Sequence, residues 1–305
     1  MKIVNSITGT LTLCVLLALA YCKKDDSNPS TSDEAFTAIK NDPALTIYTT
    51  IATRANAETY INSSSGILAP IDNAFLTVGI TSSVASSFSQ QYADSLIKYM
   101  SIPAGMNFNG STGTRTNFTS GLGSPVYGDS TVSYVYFNGV STTSVTPTKA
   151  TTTSVYKLNK VLDLPYPTIS QYTTRDTSLS FYNEAFTRTN FGASLSGGTY
   201  TLFAPTNSAF RDAGYTSIQA IDAADVNTLK QILQFNTVLN YYFANEIAAQ
   251  SNLNTLLGSA ITLTNTDGSI ILAGVANPSP PASILNSGSL AGNALVYKTS
   301  KVLLP

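Results

Sequence analysis

Residues 201–210 read Thr-Leu-Phe-Ala-Pro-Thr-Asn-Ser-Ala-Phe, and residues 66–75 read Gly-Ile-Leu-Ala-Pro-Ile-Asp-Asn-Ala-Phe. Both runs carry Ala-Pro, then a polar pair, then Ala-Phe, with Phe210 lying 135 positions after Phe75. Each reads as a short apolar strand running into Ala-Pro. Asn73 or Ser208 then precedes a helical turn that carries Phe75 or Phe210. One such run is a motif; two at this distance make a repeat of domain size, far longer than a solenoid period.

A second echo closes each copy. Val155-Tyr156-Lys157 with Lys160-Val161-Leu162 parallels Val296-Tyr297-Lys298 with Lys301-Val302-Leu303, and the copies end at Pro165 and Pro305. The chain therefore divides into residues 33–165 and 166–305, with Pro165-Tyr166-Pro167 as the seam. A proline on either side of one residue stops strand pairing and stiffens a short junction. Each copy opens with a helical stretch, 34–61 with Ala35, Phe36, Ile39, Leu45, Tyr48 and Ile51, and 169–195 with Leu179, Tyr182, Phe186 and Phe191. After the motif a longer helix is expected, over 223–239 in the second copy, where Val226, Leu229, Ile232, Leu233 and Phe235 keep close to a 3.6 spacing. Asn138-Gly139 and Asp267-Gly268 between apolar runs signal hairpins. The fold class is α+β, with helices ahead of an antiparallel, strand-rich half.

Composition narrows the chemistry. The 305 residues include 16 Lys plus Arg, 17 Asp plus Glu, two Cys and no His. Charged residues make up 11%, against roughly 25% in ordinary soluble domains, yet mean hydropathy is only +0.09. Hydroxyl and amide side chains fill the gap, which suits a neutral surface working outside the cytoplasm. With no His there is no Ser-His-Asp or Cys-His mechanism and no His-based metal site. A net charge of −1 gives no footprint for nucleic acid.

The amino terminus sets the compartment. Lys2 precedes an apolar run from Ile7 to Ala20, too short to span a membrane and suited to a signal peptide over residues 1–21. Leu19-Ala20-Tyr21-Cys22 resembles a bacterial lipobox, in which cleavage precedes the cysteine and the cysteine carries lipid. The plainer alternative is an ordinary thiol at the end of a cleaved secretory peptide. Cys14 leaves with the peptide, so no disulfide is available to the mature chain. Residues 22–32 then form a tether. Within it Lys24, Asp25 and Asp26 resemble the surface-export signal of Bacteroidota lipoproteins, while also serving as a solvated charge run.

TLFAPTNSAF followed by a helix and closed by KVLLP resembles the fasciclin-like domain. Thr201, Phe203, Ala204, Pro205, Thr206, Asn207 and Phe210 hold the places of its first motif, and Lys301 to Pro305 those of its closing strand. In the first copy Ala69, Pro70 and Phe75 persist. Gly66, Leu68 and Ile71 replace Thr201, Phe203 and Thr206, and Val161-Leu162-Asp163-Leu164-Pro165 carries one extra residue. The resemblance implies two fasciclin-like domains, each an antiparallel β-sandwich-like core packed with several helices, arranged as in tandem lipoproteins of Bacteroidota type. The motif residues are then structural. Pro205 withholds an N–H where the strand ends, Thr206 and Asn207 are N-cap types, and Phe210 faces the sheet. Members of the family often carry a Tyr-His pair tied to receptor adhesion. Tyr99-Met100 and Phe235-Asn236 stand there, both without His, so that mechanism is not carried over.

Acids are the remaining acid/base resource. Asp25-Asp26 belong to the tether, Asp33-Glu34 open the first helix, and Asp222 and Asp225 sit where a helix starts and complement its dipole. An enzyme would need two acids in a deep pocket about 5–10 Å apart. Tyr134, Tyr136 and Phe137, with Tyr241, Tyr242 and Phe243, either pack inside or stack on a ligand. Tyr134 and Tyr136 would share one strand face and Phe137 the other. The sequence therefore points to a non-catalytic, surface-exposed protein without cofactor or metal. A lipid on Cys22 would hold it in the bacterial outer membrane facing outward, where it would act in adhesion through an unknown protein or polysaccharide ligand. The alternative is an accessory glycan-binding component of an outer-membrane polysaccharide uptake system.

Overall fold

The computed structural model describes residues 34–106, 115–266, 269–277 and 279–305. Within them the first half runs α1 (Ala35–Asn41), α2 (Thr46–Arg54), α3 (Glu58–Ser63), β1 (Gly66–Pro70), α4 (Asp72–Thr77), α5 (Ser82–Ser86) and α6 (Gln90–Tyr99). Strands β2 (Ser101–Ile102), β3 (Thr116–Thr119), β4 (Pro125–Ser130), β5 (Val135–Phe137), β6 (Val140–Ser141), β7 (Thr148–Ala150) and β8 (Thr153–Leu158) follow. The second half runs α7 (Ile169–Arg175), α8 (Ser180–Arg188), β9 (Tyr200–Pro205), α9 (Asn207–Asp212), α10 (Ile218–Ala223), α11 (Val226–Phe235), β10 (Thr237–Leu239) and α12 (Ala244–Ile247). It ends with β11 (Asn252–Asn254), β12 (Ala260–Thr266), β13 (Ser269–Ala273), β14 (Ala282–Ser283), β15 (Ser289–Ala291) and β16 (Ala294–Thr299). The signal peptide, Cys22, Lys24, Asp25, Asp26 and Asp33 lie outside the described residues. Among the described residues no helix is long and apolar enough to cross a membrane.

The class is α+β, and the halves share one plan. Sheet order β2-β1-β8-β7 in the first half matches β10-β9-β16-β15 in the second, and the meander β3-β4-β5-β6 matches β11-β12-β13-β14. One feature corrects the purely antiparallel expectation: β1 pairs parallel with β8, and β9 pairs parallel with β16. Parallel neighbours need a long crossover, and helices plus the whole meander supply it here.

These central strands are buried on both faces. In β9 and β16, Leu202, Ala204 and Val296 join the core formed with Tyr182, Phe210, Ile221 and Leu229. Their neighbours Phe203, Leu295 and Tyr297 join Leu253, Ile261, Leu263 and Leu272 from the meander. Alternation of side chains across a strand thus turns an unbroken apolar run into a middle layer between helices and a second sheet. The first half has its own core, drawn from residues 35–162.

Local chemistry sets the boundaries. Each long helical stretch breaks into short helices. The 223–239 helix shortens to α11 because Asp225 caps it, accepting from the Thr228 amide at 2.8 Å. Its end becomes β10, where β-branched Thr237 and Val238 pair with β9. Val226 is 40% exposed and leaves the core face, and Asp222 sits at the end of α10 instead of a helix start. Asn138 and Gly139 take φ of 49° and 78° in the two-residue turn between Phe137 and Val140, the positive pair a type I′ turn requires. Thr266 pairs with Ser269, while Asp267-Gly268 lie outside the described residues.

The seam also departs from expectation. Tyr166 does pair. Its amide donates to Leu290 O at 2.8 Å and its carbonyl accepts from the Gly292 amide at 2.9 Å, a one-residue parallel bridge with Ala291. Flanking prolines have no N–H, so the pairing goes no further.

Candidate functional site

The motif residues are scaffold. Phe75 and Phe210 are fully buried. Phe203 stacks on Tyr297 with ring centroids 6.0 Å apart, and Ala69, Pro70, Ala204 and Pro205 end the two central strands. Thr201 donates to Asn240 O and accepts from the Tyr242 amide, both at 2.8 Å. Thr206 caps α9. Asn207 does more than open α9: its Oδ1 accepts from the Phe181 amide at 2.9 Å, at the start of α8. In the first half Asp72 Oδ1 accepts from the Ile47 amide at 2.8 Å, at the start of α2. Neither α2 nor α8 has a side-chain cap of its own. The polar residue two places after Ala-Pro therefore caps an earlier helix, satisfying a donor that the helix leaves unpaired.

The Tyr-His places are structural too. Tyr99 is buried and bonded by Asn138 Nδ2 at 2.8 Å, and Met100 is buried beside it. Asn236 donates to Ile232 O and Leu303 O and accepts from the Leu303 amide. Every hydrogen-bonding atom of its amide is thereby used to hold the closing segment, which is extended chain after the last strand ends at Thr299, not the strand expected over Lys301 to Pro305.

Aromatic residues divide between interior and surface. Phe137 is buried in β5 while Tyr134, which precedes the strand, is 45% exposed, and the Tyr134 and Tyr136 ring centroids lie 6.1 Å apart. Residues 241–243 form a loop against the first half. Tyr127 meets Tyr241 at 5.4 Å and Phe243 at 5.6 Å. Arg115 pairs with Glu246, donates to Tyr241 O at 2.9 Å and lies 5.1 Å from the Phe243 ring. Gly139 is pressed there as well, since a Cβ would come within 2.9 Å of Phe243 Cβ.

The seam opens a cleft of about 470 Å³. The first half contributes Tyr92 from α6 and Asp163, the linker contributes Tyr166, and the second half contributes Tyr172, Arg175, Asp176, Asn286, Ser289 and Lys298. Tyr166 meets Tyr172 edge to face at 5.0 Å, and the Arg175 guanidinium stands 5.9 Å from the Tyr166 ring. Asp163 is exposed at the cleft wall, yet partial desolvation by the surrounding cleft raises its carboxyl above its ordinary value, against a bond from Ser289 Oγ at 3.3 Å and the Lys298 charge. Burial pushes the Tyr172 phenol up to about 12. Burial also disfavours charged Asp176, but Lys298 Nζ at 2.9 Å and Ser178 outweigh it, and the carboxyl stays below its ordinary value.

Duplication separates scaffold from site inside this cleft. Asp176–Lys298 has a twin in Asp42–Lys157, also at 2.9 Å, and both acids cap the turn after the first helix of their half. Asp163, in contrast, is the residue added to Val-Leu-Leu-Pro in the first copy. Asn41 ends α1 where Arg175 ends α7, and Thr228 is third in α11 where Tyr92 is third in α6. No sequence motif marks these cleft residues; the one available signal was the extra residue at the seam. Two acids line the cleft, but Asp176 is committed to Lys298 and Ser178. That leaves Asp163, whereas glycoside hydrolysis uses two carboxylates. Among the described residues no group of His, Cys, Asp or Glu is placed to hold a metal ion.

A model of the fasciclin domain family matches residues 177–305. A solved FAS1 domain pair from the insect cell adhesion molecule Fasciclin I is similar at 16% identity and a TM-score of 0.42, covering 85% of this chain and 96% of that one. No curated protein matches.

Proposed function

We propose that this protein is a non-catalytic adhesion or binding protein of two fasciclin-like domains, 33–165 and 166–305, held outward on a bacterial outer membrane by lipid on Cys22. The observation that carries the reading is the fasciclin match over 177–305, together with the same strand order in the first half. Fasciclin domains are in general adhesion or binding modules without catalysis. Here the motif residues are spent on caps and core, so binding falls to surfaces and to the seam. The lipobox-like Leu19-Ala20-Tyr21-Cys22 and the Lys24-Asp25-Asp26 run support the anchor and its outward address. Stable attachment needs more than one acyl chain.

Deleting the gene should reduce attachment or aggregation of whole cells, and unchanged attachment would refute adhesion. Protease applied to intact cells should remove the protein. Cys22→Ala should abolish fatty-acid labelling, and persistent labelling would overturn the anchor. A second reading, an accessory glycan-binding component of a polysaccharide uptake system, is favoured by the tyrosine-lined polar cleft. Reproducible binding to one polysaccharide class on a glycan array would select it.

A further inference from the structure

We propose that the seam cleft binds a neutral pyranose sugar residue, with Asp163 and Arg175 reading its hydroxyls and Tyr92, Tyr166 and Tyr172 supplying apolar surface. The inference rests on the binding reading above and assigns it a place and a ligand class.

The internal duplication is the first argument. What both halves share, such as Asp42–Lys157 and Asp176–Lys298, serves the fold. What the seam alone holds is Tyr92, Asp163, Tyr166 and Arg175, where Thr228 and Asn41 mark two of the plain counterparts. These seam residues come from both halves and the linker, yet they line one cleft.

Charge gives the ligand class. Asp176 and Lys298 neutralise each other. Among the described residues Arg175 makes no ion pair, and Asp163 has a single side-chain hydrogen-bond partner, Ser289. An anionic ligand would meet the Asp163 carboxylate and a cationic one the Arg175 guanidinium. A purely apolar ligand would strip water from both without replacing their bonds. A carboxylate only accepts and a guanidinium only donates. Hydroxyls do both, so a neutral polyhydroxylated ring satisfies the two together. Tyrosines offer an apolar body with a polar tip, suited to a ring with C–H faces and hydroxyl edges. The volume falls within the roughly 300–1,000 Å³ of small-ligand sites. Asp163 is exposed on the cleft wall, so its carboxyl is open to a ligand.

The test is calorimetric titration of the full chain in detergent with neutral tetrasaccharides of glucose, mannose, galactose and xylose, beside tetramers of glucuronic acid and glucosamine. At least one neutral tetramer should bind saturably and more tightly than either charged one. Asp163→Asn and Arg175→Ala should each weaken it about tenfold or more, as loss of a charged hydrogen bond does. Asp42→Asn, which lies outside the cleft lining, should not. Asp163→Asn should melt no lower than the parent, which separates lost binding from lost folding. Absence of binding to every neutral tetramer, preference for a charged one, or affinity unchanged in both cleft variants would overturn the inference. Adhesion fails separately, if cells lacking the gene attach as well as the parent. The cleft assignment fails even where those cells detach, if the variants bind sugar normally.

Discussion

Replacing Asn207 by alanine should weaken a helix that does not contain it. Asn207 Oδ1 accepts from the Phe181 amide at 2.9 Å, the second residue of α8, and Leu179 ahead of that helix offers no side-chain cap. Loss of an N-terminal cap costs about 0.5–2 kcal/mol. The two further bonds, from Nδ2 to Thr177 O at 2.9 Å and Ser180 Oγ at 3.0 Å, are exposed and water can replace them, so a total of about 1–2 kcal/mol is expected. For a domain of this size that lowers the melting temperature by about 2–8 °C. Asp72→Ala should cost the same in the first half, where Ile47 is likewise second in α2 and Thr46 Oγ1 adds a bond at 2.5 Å. Asp72→Asn, which installs the residue the second half already uses, should stay within about 0.5 kcal/mol because Oδ1 still accepts. Urea denaturation followed by circular dichroism gives the magnitudes, and amide exchange at Ile47 and Phe181 localises them. If both alanine variants stayed within about 0.5 kcal/mol of the parent, the motif's polar residue would not be a cap.

Phe210→Ala should cost about 3–5 kcal/mol, as truncation of a buried phenylalanine does, and an unchanged thermal midpoint would remove Phe210 from the core. Gly139→Ala, at φ 78° and with its new Cβ 2.9 Å from Phe243 Cβ, should cost at least about 1–2 kcal/mol; melting at the parent temperature would show that this contact gives way freely. Asp163 carries a raised carboxyl, so its contribution to stability is complete below the ordinary value of 3.8 and is lost as pH rises through the folded-state value. Asp163 is exposed to solvent, which screens the effect, so Asp163→Asn should melt at or slightly above the parent at pH 7 and equal to it below pH 3.8, and a lower midpoint at pH 7 would contradict the desolvation argument.

Much of the scaffold was legible because its signals are local. Ala-Pro followed by Phe three residues after the first polar position marks strand, turn and helix within ten residues, and Asn138-Gly139 marks a turn by two backbone angles alone. The parallel pairing of β1 with β8 was not legible, since nothing local distinguishes a buried parallel strand from a buried antiparallel one. The cap from Asn207 to Phe181 was missed for a related reason. An N-cap residue type predicts a bond to its own helix, but here the side chain reaches back 26 residues.

The seam cleft lies at the far end of that scale. Its tyrosines and charges are spread from Tyr92 to Lys298, and each alone reads as an ordinary surface residue. Duplication changes how they can be judged. Two copies of one fold provide, within a single chain, a comparison between positions that the architecture requires and positions that it leaves open. Asp42 and Asp176 do the same work with equivalent lysine partners, Lys157 and Lys298, so the architecture requires them. Asp163 has no counterpart at the end of the second copy, where the chain reads Val302-Leu303-Leu304-Pro305. The one residue by which the first closing motif exceeds the second is a carboxylate exposed on the wall of the junction cleft, in a chain where charge is scarce. A fold that needed only a linker could close with Leu-Pro alone, as the second copy does. The added acid is therefore best explained by something it holds.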